Sequence, residues 1–330
     1  MHPELFEIPL IHLTVKSYGL MMVIGFLAAV WVIRYLSRDI TPDPQLITNA
    51  ALYSLIGGVV GARLFYVVHY WDQFRDSPLS VFAIWKGGLE LLGGVLLAII
   101  IIAFFLRYHK LPIRRYLDIL AIGLMLALVF GRIGCFLNGC CFGKPANLLW
   151  AVRFPYDSFA YRSQVKPNFQ RNRPDPQLQL PNEYFSYTGE DGLRYLKPYQ
   201  DLTAEQKAEV SSGKYRCLPV HPTQLYESAG ASVLCLLLYF FWRRVRNAES
   251  SGNTSKFLAR PGQTFGLMFV LYAAVRFFIE FLRDDNPFEF GLRLTISQII
   301  SIPMLVFGII LIVIFQRMKT QQPKERIGDK

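Results

Sequence analysis

Much is missing from this sequence, and each absence narrows the reading. The opening residues, MHPELFEIPLIHLTVK, lack a basic leader region, so a cleavable signal peptide is not expected and the first apolar run is read as retained. There is no internal repeat and no low-complexity tract; only the tail TQQPKERIGDK reads as disordered. Cysteines and histidines number five each and show no metal-ligand spacing, which argues against a metal centre or a nucleophilic cysteine. Soluble character is missing as well. The chain is 52% hydrophobic with a mean hydropathy of +0.29, and runs such as LLGGVLLAIIIIAFFL belong to a polytopic membrane protein.

Windows of about 17 to 25 mostly apolar residues give seven spans. They are Tyr18 to Tyr35, Leu46 to Tyr70 (read as partly loop), Leu89 to Leu106, Leu117 to Phe136, Gln224 to Trp242, Gly266 to Leu282 and Ile296 to Phe315. The fold class that follows is an all-α bundle of seven transmembrane helices. Residues 1–143 hold helices one to four, 144–220 form a small extracytoplasmic head, 221–316 hold helices five to seven, and 317–330 are a cytoplasmic tail. Within the head, TAEQKAEVS reads as a short helix capped by Thr203.

Short-loop Lys and Arg set the orientation. One set of segments carries sixteen, including Arg34, Arg38, Arg107, Arg115, Arg243 and Arg317; the other carries Lys16, Arg75, Lys86, Arg283 and Arg293. This asymmetry places the N-terminus and the head outside and the C-terminus inside. The net charge of +11 is then mostly a topology signal, and nucleic acid is not an expected partner.

Topology converts sequence position into depth. Tyr18, Arg63, Glu90, Arg132, Asn138, His221, Gln224, Tyr226, Glu227, Arg276 and Glu280 all fall in the outer layer of the bundle. A charge in hydrocarbon costs roughly 2.5 to 3.5 kcal/mol on insertion scales, so such groups face an interior or a cavity and mark function. Span six places Tyr272, Arg276 and Glu280 at i, i+4 and i+8 on one stripe. Either Arg276 and Glu280 form a structural salt bridge, or the glutamate holds the guanidinium toward a phosphate, which arginine binds with two parallel hydrogen bonds. Arg283 and Arg293 are read instead as arginines snorkelling to the headgroups. The strips GGVVGAR (57–63) and GGLELLGG (87–94) have the small-residue spacing of closely packed helices. Cys135 and Cys235 are read as packing residues. A bridge from Cys140 or Cys141 to Cys217 is a candidate tie between the head and span four, on the oxidising side.

Four segments carry a resemblance to a known family: GRIGCFLNGCCFG, HPTQLYES, YAAVRFFIEFLRD and SYGLM. In their order along the chain, with SYGLM first, they resemble the signatures of the prolipoprotein diacylglyceryl transferases. The resemblance implies an enzyme of the bacterial cytoplasmic membrane that moves the diacylglyceryl group of phosphatidylglycerol onto the lipobox cysteine thiol of a preprolipoprotein signal peptide. Glycerol phosphate leaves and a thioether remains. It further implies that Arg132 and Arg276 hold the phosphate, and that Tyr18, Asn138, Gly143, Tyr272 and Glu280 shape the same site. Arg63, Glu90, His221 and Gln224 are additional candidates for lipid binding. Membrane lipid surrounds the site, and no metal or diffusible cofactor is implied. Three positions depart from the family pattern. Leu92 stands where the family has a histidine, Cys135 where it has an asparagine and Cys140 where it has a glutamate. A catalytically silent phospholipid-binding relative therefore stays open, as does an anion transporter, although neither inverted repeats nor broken helices are evident.

Overall fold

The computed structural model describes residues 4–8, 13–38, 40–41, 43–75, 77–83, 87–188, 194–251, 258–288 and 293–318. Seven helices in it are long and apolar enough to cross a membrane. In chain order the helices are α1 (Ser17–Ser37), α2 (Gln45–His69), α3 (Leu91–Tyr108), α4 (Ile113–Asn138), the short α5 (Phe159–Val165) and α6 (Ala204–Ser211), then α7 (Thr223–Ser250), α8 (Gln263–Ile279) and α9 (Ile296–Arg317). The seven long ones run 18 to 28 residues. At about 1.5 Å per residue each matches a hydrocarbon layer about 30 Å thick. Residues such as Leu27, Trp31 and Phe104 stay exposed on their outer faces, as lipid-facing positions require. All seven expected spans are present. The second was read as partly loop, yet α2 is continuous through Gly57, Gly58 and Gly61, because close packing on α3 offsets the low helix propensity of glycine.

That packing is backbone against backbone. A Cβ built on Gly61 would lie 2.5 Å from the Gly93 carbonyl oxygen, and one on Gly94 would lie 2.8 Å from that of Gly58. Gly266 and Gly308 repeat the device between α8 and α9. The central helix is α4, which packs on α1, α7 and α8 and buries Ile119, Ala121 and Ile122 almost completely. Its Asp118 crosses to the start of α8, where the carboxylate accepts the backbone N–H groups of Gly262 (2.7 Å) and Phe265 (3.1 Å). A neighbouring helix thus supplies the cap that α8 does not provide for itself.

The head lies between α4 and α7. Its core holds Phe154, Ala160, Tyr161, Val165 and Cys217, and Phe136 at the end of α4 packs on Phe154. The expected helix forms as α6, with Thr203 and Gln206 making a reciprocal capping box. Two strand pairs were not anticipated: β1 (Glu4–Ile8) with β2 (Leu13–Lys16), and β3 (Phe185–Thr188) with β4 (Arg194–Leu196). The expected bridge to Cys217 is not formed. Cys217 is buried with its thiol donating to Gln164 Oε1 at 3.4 Å, and burial pushes that thiol up to about 11. Residues 319–330, which include the whole of the tail read as disordered, lie outside the described residues, as do Lys86 and Lys256 of the charge comparison.

The α2–α3 contact makes a direct prediction. Gly61→Val should destabilise the protein by about 1–3 kcal/mol, the range for overpacking a close contact, whereas Gly19→Ala, with open space at its Cβ, should be neutral or slightly stabilising. Thermal unfolding in detergent micelles reads the difference, and equal Tm values would contradict the packing.

Candidate active site

At the head end of the bundle α4 must stop and turn, and the turn is what builds the site. Gly139 ends the helix with φ +77°, a left-handed position that favours glycine. The chain then folds back so that the Cys140 N–H donates to the Cys135 carbonyl. Two side chains from the first turn of α7 hold this loop: Gln224 Nε2 donates to Cys140 O (2.6 Å) and Thr223 Oγ1 to Cys141 O (2.7 Å). Gly143 then runs against α7 and the end of α8. Its N–H donates to His221 O, the next residue's to Leu282 O, and a Cβ at 143 would sit 2.6 Å from His221. On the other side α8 tightens into a 3₁₀ turn at Glu280–Leu282, and Arg283 pairs its backbone with Gly143.

These two turns bring three guanidinium groups onto one carboxylate. Glu227 of α7 receives Arg132 Nε at 2.5 Å, Arg276 Nη1 at 3.1 Å and Arg283 Nη1 at 3.0 Å. Glu280 takes Arg276 Nη1 at 2.7 Å, and Asp285 takes Arg283 through Nε (2.9 Å) and Nη2 (2.6 Å). Ser297, at the start of α9, accepts Arg276 Nη2 at 2.7 Å, and Asn286 donates to Glu280 Oε1 at 2.6 Å. Three positive and three negative groups therefore balance in the bundle interior. Balance is what makes the cluster tolerable, because an uncompensated charge there costs several kcal/mol.

The arginines differ in access. The Arg132 side chain is 15% exposed against 4% for Arg283. Glu227 occupies the Nε edge of Arg132, while its Nη1 has only the Cys141 thiol at 3.7 Å. A guanidinium offers two edges, so Arg132 can keep Glu227 and still accept an anion. A cleft of about 530 Å³ opens between the end of α4 and the head, with Lys16, Asn138, Tyr156 and Arg162 among its walls and Arg132 not among them.

The candidates read from sequence separate accordingly. Arg132, Arg276, Glu280 and Gly143 converge. Tyr272 borders a small gap shared with Glu227 and Arg276. Tyr18 packs over Gly134, on the α4 turn that precedes the loop. His221 and Gln224 hold the loop rather than the cluster, His221 through its backbone and a 3.4 Å contact to Tyr226. Arg63 is not brought to the cluster. It is buried, and its Nε, Nη1 and Nη2 donate to the carbonyls of Val81, Gly87, Gly88 and Ser80 at 2.8 to 2.9 Å, fastening the α2–α3 connection. Glu90 stands at the start of α3 paired with His69 (Nδ1 to Oε1, 2.5 Å). Arg283 corrects the sequence reading: it was assigned to the headgroups and is instead almost fully buried in the cluster, drawn inward by its pairing with Gly143. Glu227 had been noted only as one polar residue of its layer, and Asp285 had given no signal. The i, i+6 spacing of Glu227 from His221 and the run RDD mark neither as a hub.

A family profile described as prolipoprotein diacylglyceryl transferase matches residues 3–314. The phosphatidylglycerol–prolipoprotein diacylglyceryl transferase of Buchnera aphidicola subsp. Acyrthosiphon pisum (strain 5A) is 30% identical over 305 residues, 90% of each chain. That of Synechococcus elongatus is 28% identical over 311 residues, covering 94% of this chain and 87% of its own, and that of Rhodospirillum rubrum 28% over 313 residues, covering 92% and 89%.

The shared carboxylate sets the test of this geometry. Glu227→Ala leaves three buried guanidinium groups short of a partner and should cost about 3–5 kcal/mol, the scale of a broken buried ion pair. A loss below about 1 kcal/mol in thermal or denaturant unfolding would show that the cluster is not closed around Glu227.

Proposed function

The chain belongs to the prolipoprotein diacylglyceryl transferase family, and from that premise we propose how it works: it transfers the diacylglyceryl group of phosphatidylglycerol to a prolipoprotein, with Arg132 gripping the lipid phosphate. The protein is a multi-pass membrane enzyme of the bacterial inner membrane. The Lys and Arg asymmetry of the short loops supports an N-terminus and head outside and a C-terminus inside. In that orientation the cluster meets lipid of the outer leaflet and a secreted substrate.

The observation that carries the reading is the free edge of Arg132 beside a guanidinium cluster already anchored by Glu227. The acceptor is the thiol of the lipobox cysteine. Its sulfur attacks the glyceryl carbon that bears the phosphate ester; the C–O bond breaks, its electron pair stays on the phosphate oxygen, and a C–S bond forms. The departing glycerol phosphate gains one negative charge, and donors already in place there stabilise that charge more than they stabilise the bound lipid. Arg132 takes the phosphate directly, Arg276 and Arg283 supply the field, and Glu280 and Asp285 hold those two in position. Asn138 and Gly143 shape the approach from the α4 loop, while Tyr18 and Tyr272 wall the same end of the bundle.

The thiol proton needs an acceptor. Leu92, at the family's histidine position, is 64% exposed on α3 and carries no proton. Two residues earlier Glu90 holds His69 at 2.5 Å, and an imidazole fixed by a carboxylate is a competent general base. His69 is therefore assigned as the acceptor, with Glu90 setting its tautomer.

Three measurements follow. With phosphatidylglycerol and a lipobox peptide, the purified protein should yield a diacylglyceryl thioether by mass spectrometry. Arg132→Ala should lower turnover by about 10²–10³, as for loss of one donor to a developing oxyanion, without unfolding, because Arg276 and Arg283 still neutralise Glu227; full activity in that variant would discredit the assignment. His69→Gln should lower kcat by about 10²–10⁴ with binding of phosphatidylglycerol kept. An unchanged kcat would remove His69 from the mechanism.

A further inference from the structure

Three sulfurs converge beside the cluster, and the reaction as derived does not use them. The Sγ atoms of Cys135, Cys140 and Cys141 all lie within 4.8 Å of one another. They come from the last turn of α4 and from the loop folded back over it, so their closeness is built by the backbone. Gly139 is left-handed at φ +77° and Cys141 at φ +60°. The carbonyls of Cys140 and Cys141 are engaged by Gln224 and Thr223 at 2.6 and 2.7 Å, and the Cys140 N–H by the Cys135 carbonyl. With the backbone groups so committed, the thiols are the donors this loop has left to offer. No disulfide joins any of the three. Cys135 is buried and the other two half-buried, so the group is reached through Cys140 and Cys141.

We propose that Cys135, Cys140 and Cys141 form a binding site for a soft, closed-shell metal ion, copper(I), held by three thiolates. Soft thiolates select copper(I) and zinc over the hard divalent ions. The choice between those two rests on ligand number. Structural zinc takes four protein ligands in a tetrahedron, and among the described residues no fourth histidine, cysteine or carboxylate joins this group. Three thiolates in a plane suit copper(I). At a metal–sulfur distance of about 2.3 Å three such sulfurs lie about 4 Å apart, so the observed spacing closes on an ion with side-chain rotation alone. Three thiolates and one copper(I) carry two negative charges, and the Arg132 guanidinium, whose Nη1 is 3.7 Å from Cys141 Sγ, faces them.

The test uses full-length, reduced protein in detergent micelles under anaerobic conditions, titrated with copper(I) against bicinchoninate. One copper(I) per chain is expected, with copper protecting three of the five cysteines from maleimide labelling by intact mass and the copper absorption edge showing three sulfurs at about 2.3 Å. Cys140→Ser should weaken binding by about a hundredfold or more. Cys141→Ser should do the same, so that one variant's failure to fold leaves the other decisive. Cys217→Ser and Cys235→Ser should bind as the parent does. The proposal is overturned if the chelator strips the protein of copper completely, if Cys140→Ser and Cys141→Ser keep parental affinity, or if zinc is held in preference to copper(I).

Discussion

One carboxylate organises this molecule. Glu227 pairs with Arg132, Arg276 and Arg283, and so ties α7 to α4, to α8 and to the turn after α8. In water such contacts would add little to stability, since exposed ion pairs contribute about 0–1 kcal/mol. Here the charges sit among apolar helices with few alternatives for solvation, so Glu227 cannot leave without stranding guanidinium groups. The arrangement holds positive charge at fixed positions before any ligand arrives. That is the property a site needs when the charge to be met appears only as a bond breaks.

The rest of the head end serves to place those groups. Helices α2 and α3, and α8 and α9, close on each other through glycines at backbone contact distance. Asp118 caps α8 from the second turn of α4, fixing the start of the helix that carries Arg276. The left-handed Gly139 and the crowded Gly143 then steer the loop after α4 beneath His221 and Leu282. Arg63 works by another route. By donating to four backbone carbonyls it fastens the connection that presents Glu90 to His69. Two buried arginines in one layer thus carry different duties, and only their partners tell them apart.

That distinction explains what could be read from the chain. Span number, alternation and the helix at Thr203 were legible because apolar length and capping chemistry are local signals. Arg132, Arg276 and Glu280 were legible because a charge inside an apolar run is costly wherever it points. Arg283 was misread since its neighbours in sequence, RDDNP, look like a loop, and its burial depends on a backbone pairing with Gly143 some 140 residues earlier. Glu227 was visible as polar but not as central, for nothing within HPTQLYES says that three arginines from elsewhere will meet there. The small strands escaped notice because four- or five-residue pairings carry too little periodicity to register. The grouping of Cys135 with Cys140 and Cys141 depends on a left-handed glycine between them, and a helix-packing reading of Cys135 passes over it.

The central claim is that the exposed edge of Arg132 is where a phospholipid phosphate docks. Native mass spectrometry or phosphorus NMR of the protein in micelles, titrated with phosphatidylglycerol, measures this without reference to turnover. Saturable binding by the parent and by Arg162→Ala, whose guanidinium pairs with Asp157 on the head surface, together with its loss in Arg132→Ala, is the result the account predicts. Equal binding by Arg132→Ala and the parent would contradict it.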